Sequence, residues 1–289
     1  MHTPDLAAFL SAPAHEVAVV APSTVIYTPG GTRRAAALAG VKPGSDHYAI
    51  WSRQQAIARF DLFFRLGVQH LFTNALAPSQ LAEVGPYRDR VIAWTVAGLI
   101  GSEALEDYAR HGWRVKIFGG AQIPELREAD EQLQAAAPAQ WQHTLWWCVT
   151  AEPNGYWSAL LAAAQKAQAR TRDEAILALY GEAVPPATLW LGFGKPSFSA
   201  DMLPLLLADT LQCYWDQRPG YSLDEPTLRQ IIYDYAYQRQ TWSADKTNRY
   251  TDVPAQRDLW HTSLVIGLGR RLGRFWYPLH TQQPEGNDE

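Results

Sequence analysis

Short strand-like runs of apolar residues alternate with longer helical patterns along most of this chain, and this alternation constrains the fold more than any other feature. Parallel strands need a crossover connection, usually a helix, so this order is typical of a parallel sheet with helices on both faces. The sequence therefore predicts an α/β fold with a central, mostly parallel sheet of about six strands. The strand-like runs cover residues 17–20, 25–28, 69–74, 114–118, 144–150, 188–193 and 211–215.

Helical patterns connect these runs. The clearest carries large apolar side chains at helical spacing over residues 48–66 and stops at Gly67, a residue type that commonly ends helices. We expect one domain over residues 1–280 and a polar tail over residues 281–289. The other predicted helices cover residues 34–38, 89–110, 126–136, 155–180, 200–209 and 227–239.

Composition excludes several classes of protein. The formal charge is −4, without the basic excess that a nucleic-acid-binding protein needs, so nucleic acid is not an expected partner. No stretch of the sequence approaches 18 uninterrupted apolar residues, so we expect no membrane span. Cys148 and Cys213 each lie in an apolar run, which predicts two buried free thiols and a reducing cytoplasm as the location.

A glycine-led turn follows the strand-like run at residues 25–28. Gly30 and Gly31 allow the backbone to turn tightly and approach a ligand, while Thr32, Arg33 and Arg34 open the next helix. Free N–H groups and two guanidiniums at one place indicate an anion site for a phosphate or diphosphate. A plain strand-to-helix turn with two solvated arginines is the alternative.

A second candidate site precedes the long helix. Ser45 or Asp46 can cap that helix, and capping alone would explain the acid. If the helix start faces the glycine turn, the hydroxyl of Tyr48 could bond to the diphosphate or direct a nucleophile. Irregular residues 240–258 indicate a lid or binding loop.

Aromatic residues are unusually abundant, with 12 Trp, 13 Tyr and 9 Phe. Many of them must fill the core, which is the ordinary role of a large apolar ring. The excess also permits a pocket walled by aromatic faces, which binds apolar polyenes and stabilises carbocations.

These motifs together resemble the cis-prenyltransferases, the family of undecaprenyl diphosphate synthase. They resemble more closely the diterpene synthases built on that fold, the tuberculosinol and kolavelool synthases. The resemblance spans about residues 25–275. The matching stretches are residues 31–34, 46–48, 180–182, 192–194, 227–229 with 232–234, and 248–250.

Departures from the elongating members of the family are equally informative. Gly30 occupies the place of their metal-binding Asp, and Gln212 aligns with their second metal-binding Glu. Residues 192–198 replace the run that holds the diphosphate of the incoming five-carbon unit. The resemblance therefore implies one diphosphate site and no chain elongation. Mg²⁺ is the cofactor implied by the family, here arriving with the substrate and held by another acid such as Asp46.

The resemblance implies ionisation of a bicyclic C20 allylic diphosphate at residues 30–34, followed by capture of the cation by water. Tyr48, Arg34 and Asp46 are the expected catalytic residues, and a homodimer is the expected assembly. Three alternatives stay open: transfer of the same cation to a nucleoside or other nucleophile, an inactive partner subunit of a cis-prenyltransferase, and a generic phosphoester-binding protein.

Overall fold

A sheet of six parallel strands runs through the protein in the order β3-β4-β2-β1-β5-β6. The computed structural model describes residues 4–82, 85–194, 196, 208–237, 270–272 and 275–277. The order confirms the predicted α/β fold and places β1 near the middle of the sheet. The strands are β1 (Thr24–Thr28), β2 (His70–Leu76), β3 (Arg114–Phe118), β4 (Thr144–Val149), β5 (Ala187–Phe193) and β6 (Ala208–Asp216).

Helices cover both faces of this sheet, and two short strands, β7 (Arg270–Leu272) and β8 (Phe275–Tyr277), form a separate antiparallel pair. In the described ranges, no helix combines the length and the apolar character needed to cross a bilayer. The helices are α1 (Leu6–Ser11), α2 (Ala14–Ala18), α3 (Thr32–Leu38), α4 (Asp46–Arg65), α5 (Pro78–Leu81), α6 (Pro86–Ile100), α7 (Ser102–His111), α8 (Pro124–Ala135), α9 (Gly155–Ala167), α10 (Arg172–Tyr180) and α11 (Glu225–Tyr237).

The strand predicted over residues 17–20 is wrong, because residues 14–18 form helix α2. Val17 is fully buried against the core, while Val19 is 79% exposed. The β-branched run indicated a strand, but only one side of this segment meets the protein. Tertiary packing therefore overrides the local preference here.

Two long predicted helices are each divided in the structure. Gly101 has an extended backbone and ends α6, and a β-carbon there would lie 2.5 Å from the carbonyl oxygen of Ala97. The second helix breaks after residue 167, where Gln168 adopts a left-handed conformation. Thr171 then caps α10, with Glu174 completing a capping box.

The two cysteines differ in exposure. Cys148 of β4 is buried, as predicted, but Cys213 of β6 is exposed, so the prediction of two buried thiols is wrong. The difference follows from position, because β6 is the last strand in the sheet order and β4 lies inside the sheet.

The helix predicted over residues 200–209 is wrong at residues 208–209, which begin β6. The rest of that predicted helix lies outside the described residues. The predicted loop at residues 240–258 and the tail at residues 281–289 also lie outside them.

Candidate active site

A cavity of about 610 Å³ opens where β1, β2 and β4 end, between the sheet and helices α3, α4 and α6. Ligand sites in open α/β sheets lie at the carboxyl ends of the strands, and the volume is in the usual range for a small-molecule pocket. Its lining includes Pro29, Thr32, Arg33, Tyr48, Ala49, Ser52, Arg53, Ala56, Ile57, Phe60, Thr73, Asn74, Gln80, Val91, Trp94, Leu99, Trp147 and Tyr221.

Helix α4 gives the cavity a polar end and an apolar end. Tyr48, Ser52, Ala56 and Phe60 follow one another at intervals of four residues, so they lie along one face of the helix. The first two carry hydroxyl groups, and the next two are apolar and buried. The wall therefore changes from polar to apolar along the helix from its N-terminus.

The polar end of the cavity lies beside the predicted glycine turn, of which Thr32 and Arg33 line the cavity while Gly31 and Arg34 do not. Gly31 has a φ of 73° and precedes α3, whose first residue, Thr32, places its Oγ1 3.0 Å from the hydroxyl of Tyr48. Arg33 lines the cavity beside them. Arg34 is exposed, and its guanidinium folds back over the turn. Its Nη2 would lie 2.7 Å from a β-carbon built on Gly31. The structure thus brings Tyr48 of α4 to the predicted anion turn.

Gly30 and Asp46 have other surroundings. A β-carbon on Gly30 would lie 3.2 Å from the carbonyl oxygen of Phe193, so β5 leaves little room for a side chain there. Asp46 is the exposed first residue of α4, and it is Ser45 that caps the helix by accepting the N–H of Tyr48 at 3.2 Å. Neither residue forms part of the cavity lining. Their functional roles stay predictions.

Tyr221 is a cavity residue that the sequence reasoning missed. It lies in the short 3₁₀ turn Gly220–Ser222, and its hydroxyl lies 2.9 Å from Oγ of Ser52. Burial raises the pKa of Tyr221 to about 12, so its hydroxyl is neutral at ordinary pH. The only local signal was the Pro-Gly pair before it, which marks a turn but says nothing about its neighbours.

Arg53 also lines the cavity, but its guanidinium is engaged with two carboxylates of α7. It donates hydrogen bonds to Asp107 and to Glu103. These two ion pairs join α4 to α7 and balance the positive charge of Arg53.

Thr73 offers a further polar atom to the cavity. The residue is 1% exposed, and its Oγ1 has no hydrogen-bond partner among the residues that the structure describes. Buried polar atoms are nearly always satisfied, so a hydroxyl without a partner in a cavity wall is suited to a ligand or to ordered water.

The described residues do not fit a magnesium ion held by protein carboxylates. Mg²⁺ prefers oxygen ligands such as Asp and Glu, and within the described ranges no group of three His, Cys, Asp or Glu side chains could hold a metal ion. Gly30 provides no carboxylate. Gln212 uses its amide within the protein, accepting from the hydroxyl of Tyr214 at 3.1 Å and donating to the carbonyl of Tyr235 at 3.3 Å.

The fold and this cavity define the class of protein. The chain has the fold of the cis-prenyltransferases, and no protein-family model matches it. It is similar to lavandulyl diphosphate synthase from Lavandula x intermedia, solved with dimethylallyl diphosphate, with a TM-score of 0.59 and 14% identity over 77% of this chain and 98% of that one. A probable undecaprenyl diphosphate synthase from Campylobacter jejuni gives a TM-score of 0.55 and 12% identity over 76% and 97%.

Two relatives of similar length narrow the class to a family. The chain is 44% identical to the (+)-kolavelool synthase of Herpetosiphon aurantiacus over 96% of this chain and 97% of that protein. It is 26% identical to the tuberculosinyl adenosine transferase of Mycobacterium tuberculosis over 93% and 96%. The chain therefore belongs to the family of the kolavelool synthase, and it is a diterpene synthase.

Proposed function

We propose that this enzyme ionises a bicyclic C20 allylic diphosphate, of the kolavenyl or the halimadienyl/tuberculosinyl type, and captures the cation with water. The product is a tertiary diterpene alcohol such as kolavelool, released together with diphosphate. The observation that carries the proposal is the cavity, in which Thr32, Arg33 and Tyr48 form a polar end and helix α4 leads into an apolar end. The family relationship supports the same chemistry.

The two ends of the cavity match the two ends of such a substrate. The diphosphate would lie against Thr32, Arg33 and Tyr48, with Arg34 reaching it from the glycine turn. The hydrocarbon would lie along Ala56 and Phe60, where burial of apolar surface supplies binding free energy. Binding in this direction places the breaking C–O bond at the polar end.

Ionisation then requires stabilisation of the charge that grows on the leaving group. The C–O bond breaks with its electron pair going to the diphosphate oxygen, and the arginines and hydroxyls would interact more strongly with that oxygen as its charge increases. Preorganised donors of this kind lower a barrier by about 3 to 4 kcal/mol per donor in favourable cases. Magnesium that accompanies the diphosphate belongs to the substrate in this scheme.

Aromatic rings would shield the cation after the bond breaks. Phe60, Trp94 and Trp147 line the cavity, and the faces of aromatic rings attract positive charge. The ring of Trp94 also packs against that of Tyr48, with centroids 6.2 Å apart. The cation would thus be held near the polar end while water reaches it.

Chain elongation is not part of the proposal. Elongation needs a second diphosphate site, and the residues that resemblance assigns to it are here Gly192 and its neighbours. A β-carbon on Gly192 would lie 2.9 Å from Nε1 of Trp215, so Gly192 itself packs closely against that ring. One diphosphate per turnover is the expectation.

Transfer of the cation to another nucleophile is the second candidate function. The relative named tuberculosinyl adenosine transferase favours it, because its name describes delivery of a diterpenyl group to adenosine. An inactive partner subunit would release no diphosphate on its own. The homodimer expected from the resemblance stays a prediction.

The experiment that tests the proposal is incubation of the purified protein with bicyclic C20 diphosphates in water enriched in heavy oxygen, with and without adenosine. We expect diphosphate release and a tertiary alcohol that carries the heavy oxygen in both reactions. An adenosine adduct, or an alcohol that retains the substrate oxygen, would contradict water capture. No diphosphate release would support the inactive partner instead.

A further inference from the structure

We infer that Ser52 and Tyr221 hold the water molecule that captures the cation, and that this pair sets the ratio of alcohol to hydrocarbon product. The inference rests on the proposed function and adds to it the position of the nucleophile. It starts from the second pair of hydroxyls in the cavity wall, in which Ser52 Oγ and Tyr221 Oη lie 2.9 Å apart.

The cavity contains two such pairs, placed in sequence along helix α4. Thr32 and Tyr48 form the first, with their oxygens 3.0 Å apart, and Ser52 with Tyr221 forms the second. Tyr48 and Ser52 are four residues apart, so the second pair lies about 6 Å farther along the helix axis. It is the pair on the apolar side.

This displacement suits the chemistry of water capture. The tertiary carbon of an allylic cation is two bonds away from the carbon that carried the diphosphate, so it lies deeper than the leaving group. Ser52 is the next polar position inward on α4, and Ala56 and Phe60 follow it. Water in a cavity needs polar partners, and along this helix face the Ser52–Tyr221 pair supplies them beside the reacting carbon.

The turn that carries Tyr221 is fixed by hydrogen bonds from distant parts of the chain. The buried hydroxyl of Tyr27 donates to the carbonyl of Gly220 at 2.9 Å, and the N–H of Gly220 donates to the carbonyl of Gly30 at 2.8 Å. Arg59 of α4 donates from Nε to the carbonyl of Tyr221 at 3.0 Å. Tyr221 is thereby held in a fixed position next to the anion turn.

Gly220 is required for this contact. A β-carbon on Gly220 would lie 2.5 Å from Cα of Pro29, closer than side-chain carbons pack. The absence of a side chain lets the turn rest directly on the residue that precedes the anion site. Preorganised polar groups of this kind incur no reorganisation cost at the moment of reaction.

The pair can position water without acting as a strong base. Tyr221 is neutral at ordinary pH, and burial raises its pKa further, so each of the two hydroxyls can donate one hydrogen bond and accept others. One O–H is used within the pair, which leaves one O–H and free lone pairs for a water molecule. Water held there can direct a lone pair of its oxygen toward the cation.

The capture step balances in atoms and charge. A lone pair of the water oxygen forms the new C–O bond at the tertiary carbon, and the surplus proton of the bound water passes to the diphosphate already released. Without water at that position, the cation loses a proton from a neighbouring carbon to the same diphosphate and becomes a hydrocarbon. The Ser52–Tyr221 pair therefore decides between two products of one cation.

The test compares Tyr221→Phe and Ser52→Ala with a matched control, Tyr233→Phe. Tyr233 is also a buried tyrosine, and its hydroxyl donates to the carbonyl of Pro4 at 2.8 Å, away from the cavity lining. Diphosphate release and the yields of alcohol and hydrocarbon are measured for each variant, together with the thermal unfolding midpoint. We expect Tyr221→Phe and Ser52→Ala to keep diphosphate release within about threefold while the ratio of alcohol to hydrocarbon falls about tenfold, the effect of one lost hydrogen bond. Tyr233→Phe should leave the ratio unchanged.

An unchanged product ratio in both cavity variants overturns the inference and leaves the proposed function intact. A parallel fall of diphosphate release and alcohol also overturns it, because the pair would then act in binding or ionisation. If the wild-type protein forms no alcohol from water, the proposed function fails and the inference fails with it.

Discussion

The two faces of the central sheet use aromatic side chains in different ways. On the face covered by α4, the cavity face, rings such as Phe63 pack in the core, but others border the cavity and their hydroxyls meet other hydroxyls, as with Tyr48 and Tyr221. On the face covered by α9 and α10, the packed face, the rings pack on one another. Phe72 stacks there on Trp146, with centroids 5.2 Å apart and planes at 4°. An excess of aromatic residues can therefore serve a site and a core at once, and composition alone does not separate the two uses.

Removing a ring from the packed face should have the largest effect. Phe72→Ala should lower the free energy of unfolding by about 3 to 5 kcal/mol, because it removes a stacked, 1% exposed ring and leaves a cavity. Activity per folded molecule should stay at the wild-type level. Chemical denaturation measures the free energy of unfolding, and the rate per folded enzyme molecule measures the activity. A variant that keeps its stability but loses activity would contradict the assignment of this face to packing alone.

Removing a charge from the cavity wall should lower activity and leave stability nearly unchanged. Arg33→Ala should lower kcat about 100-fold or more, because the guanidinium no longer stabilises the leaving diphosphate, with little change in stability. Arg34→Ala should show a similar loss if it also contacts the diphosphate. Arg127→Ala, an exposed arginine on α8, is the control. Steady-state kinetics that show equal kcat for Arg33→Ala and Arg127→Ala would contradict the assignment of the anion site.

The packed face should respond to pH through His70. Its Nδ1 accepts a hydrogen bond from Nε1 of Trp146 at 3.3 Å, and burial lowers the pKa of His70 to about 4, with Glu182 opposing and Arg114 and Lys116 assisting the shift. The unfolded chain binds this proton at a higher pH than the folded protein does. Stability should therefore fall as the pH drops from 6.5 toward 4, by about 2 kcal/mol between pH 7 and pH 5 for this group.

Urea unfolding of the wild type and His70→Gln at pH 7 and pH 5 checks this contribution. The variant should lose less stability than the wild type over that interval. An identical loss in both proteins would show that other groups govern the acid sensitivity.

Removing the Tyr48 hydroxyl should have the smallest effect of the four changes. Tyr48→Phe keeps the ring and removes the hydrogen bond to Thr32, so we expect about a tenfold fall in the rate of diphosphate release. The ratio of alcohol to hydrocarbon should stay constant, in contrast to Tyr221→Phe. A rate equal to that of the wild type would assign Tyr48 to packing alone.

The sequence predicts the strands and the long helix well because their signals are local. Apolar runs bounded by turns identify β1 to β6, and the helical spacing that stops before Gly67 identifies α4. The run over residues 17–20 indicated a strand, yet residues 14–18 form a helix in which Val17 is fully buried and Ala14 packs against the same core. The extended backbone of Gly101, where a β-carbon would lie 2.5 Å from the carbonyl oxygen of Ala97, is seen only in the folded chain, but the capping box at Thr171 was present in the sequence and could have been recognised.

The site could be predicted only in part, because only some of its residues are close to one another in the sequence. Gly31, Thr32 and Arg33 are consecutive, so one strand-to-helix turn reveals them. Tyr221 reaches the cavity through contacts such as Tyr27 to Gly220, which are 193 residues apart, and no local pattern encodes that distance. The position of Arg34 above Gly31 likewise emerges only from the folded turn.

A crystal structure with an unreactive sulfur-bridged analogue of a bicyclic C20 diphosphate would test the proposed binding mode. We expect both phosphorus atoms within hydrogen-bonding reach of Thr32 and Arg33, with the ring system along Ala56 and Phe60. A diphosphate bound elsewhere, or a second pocket occupied by a five-carbon diphosphate, would contradict the proposal.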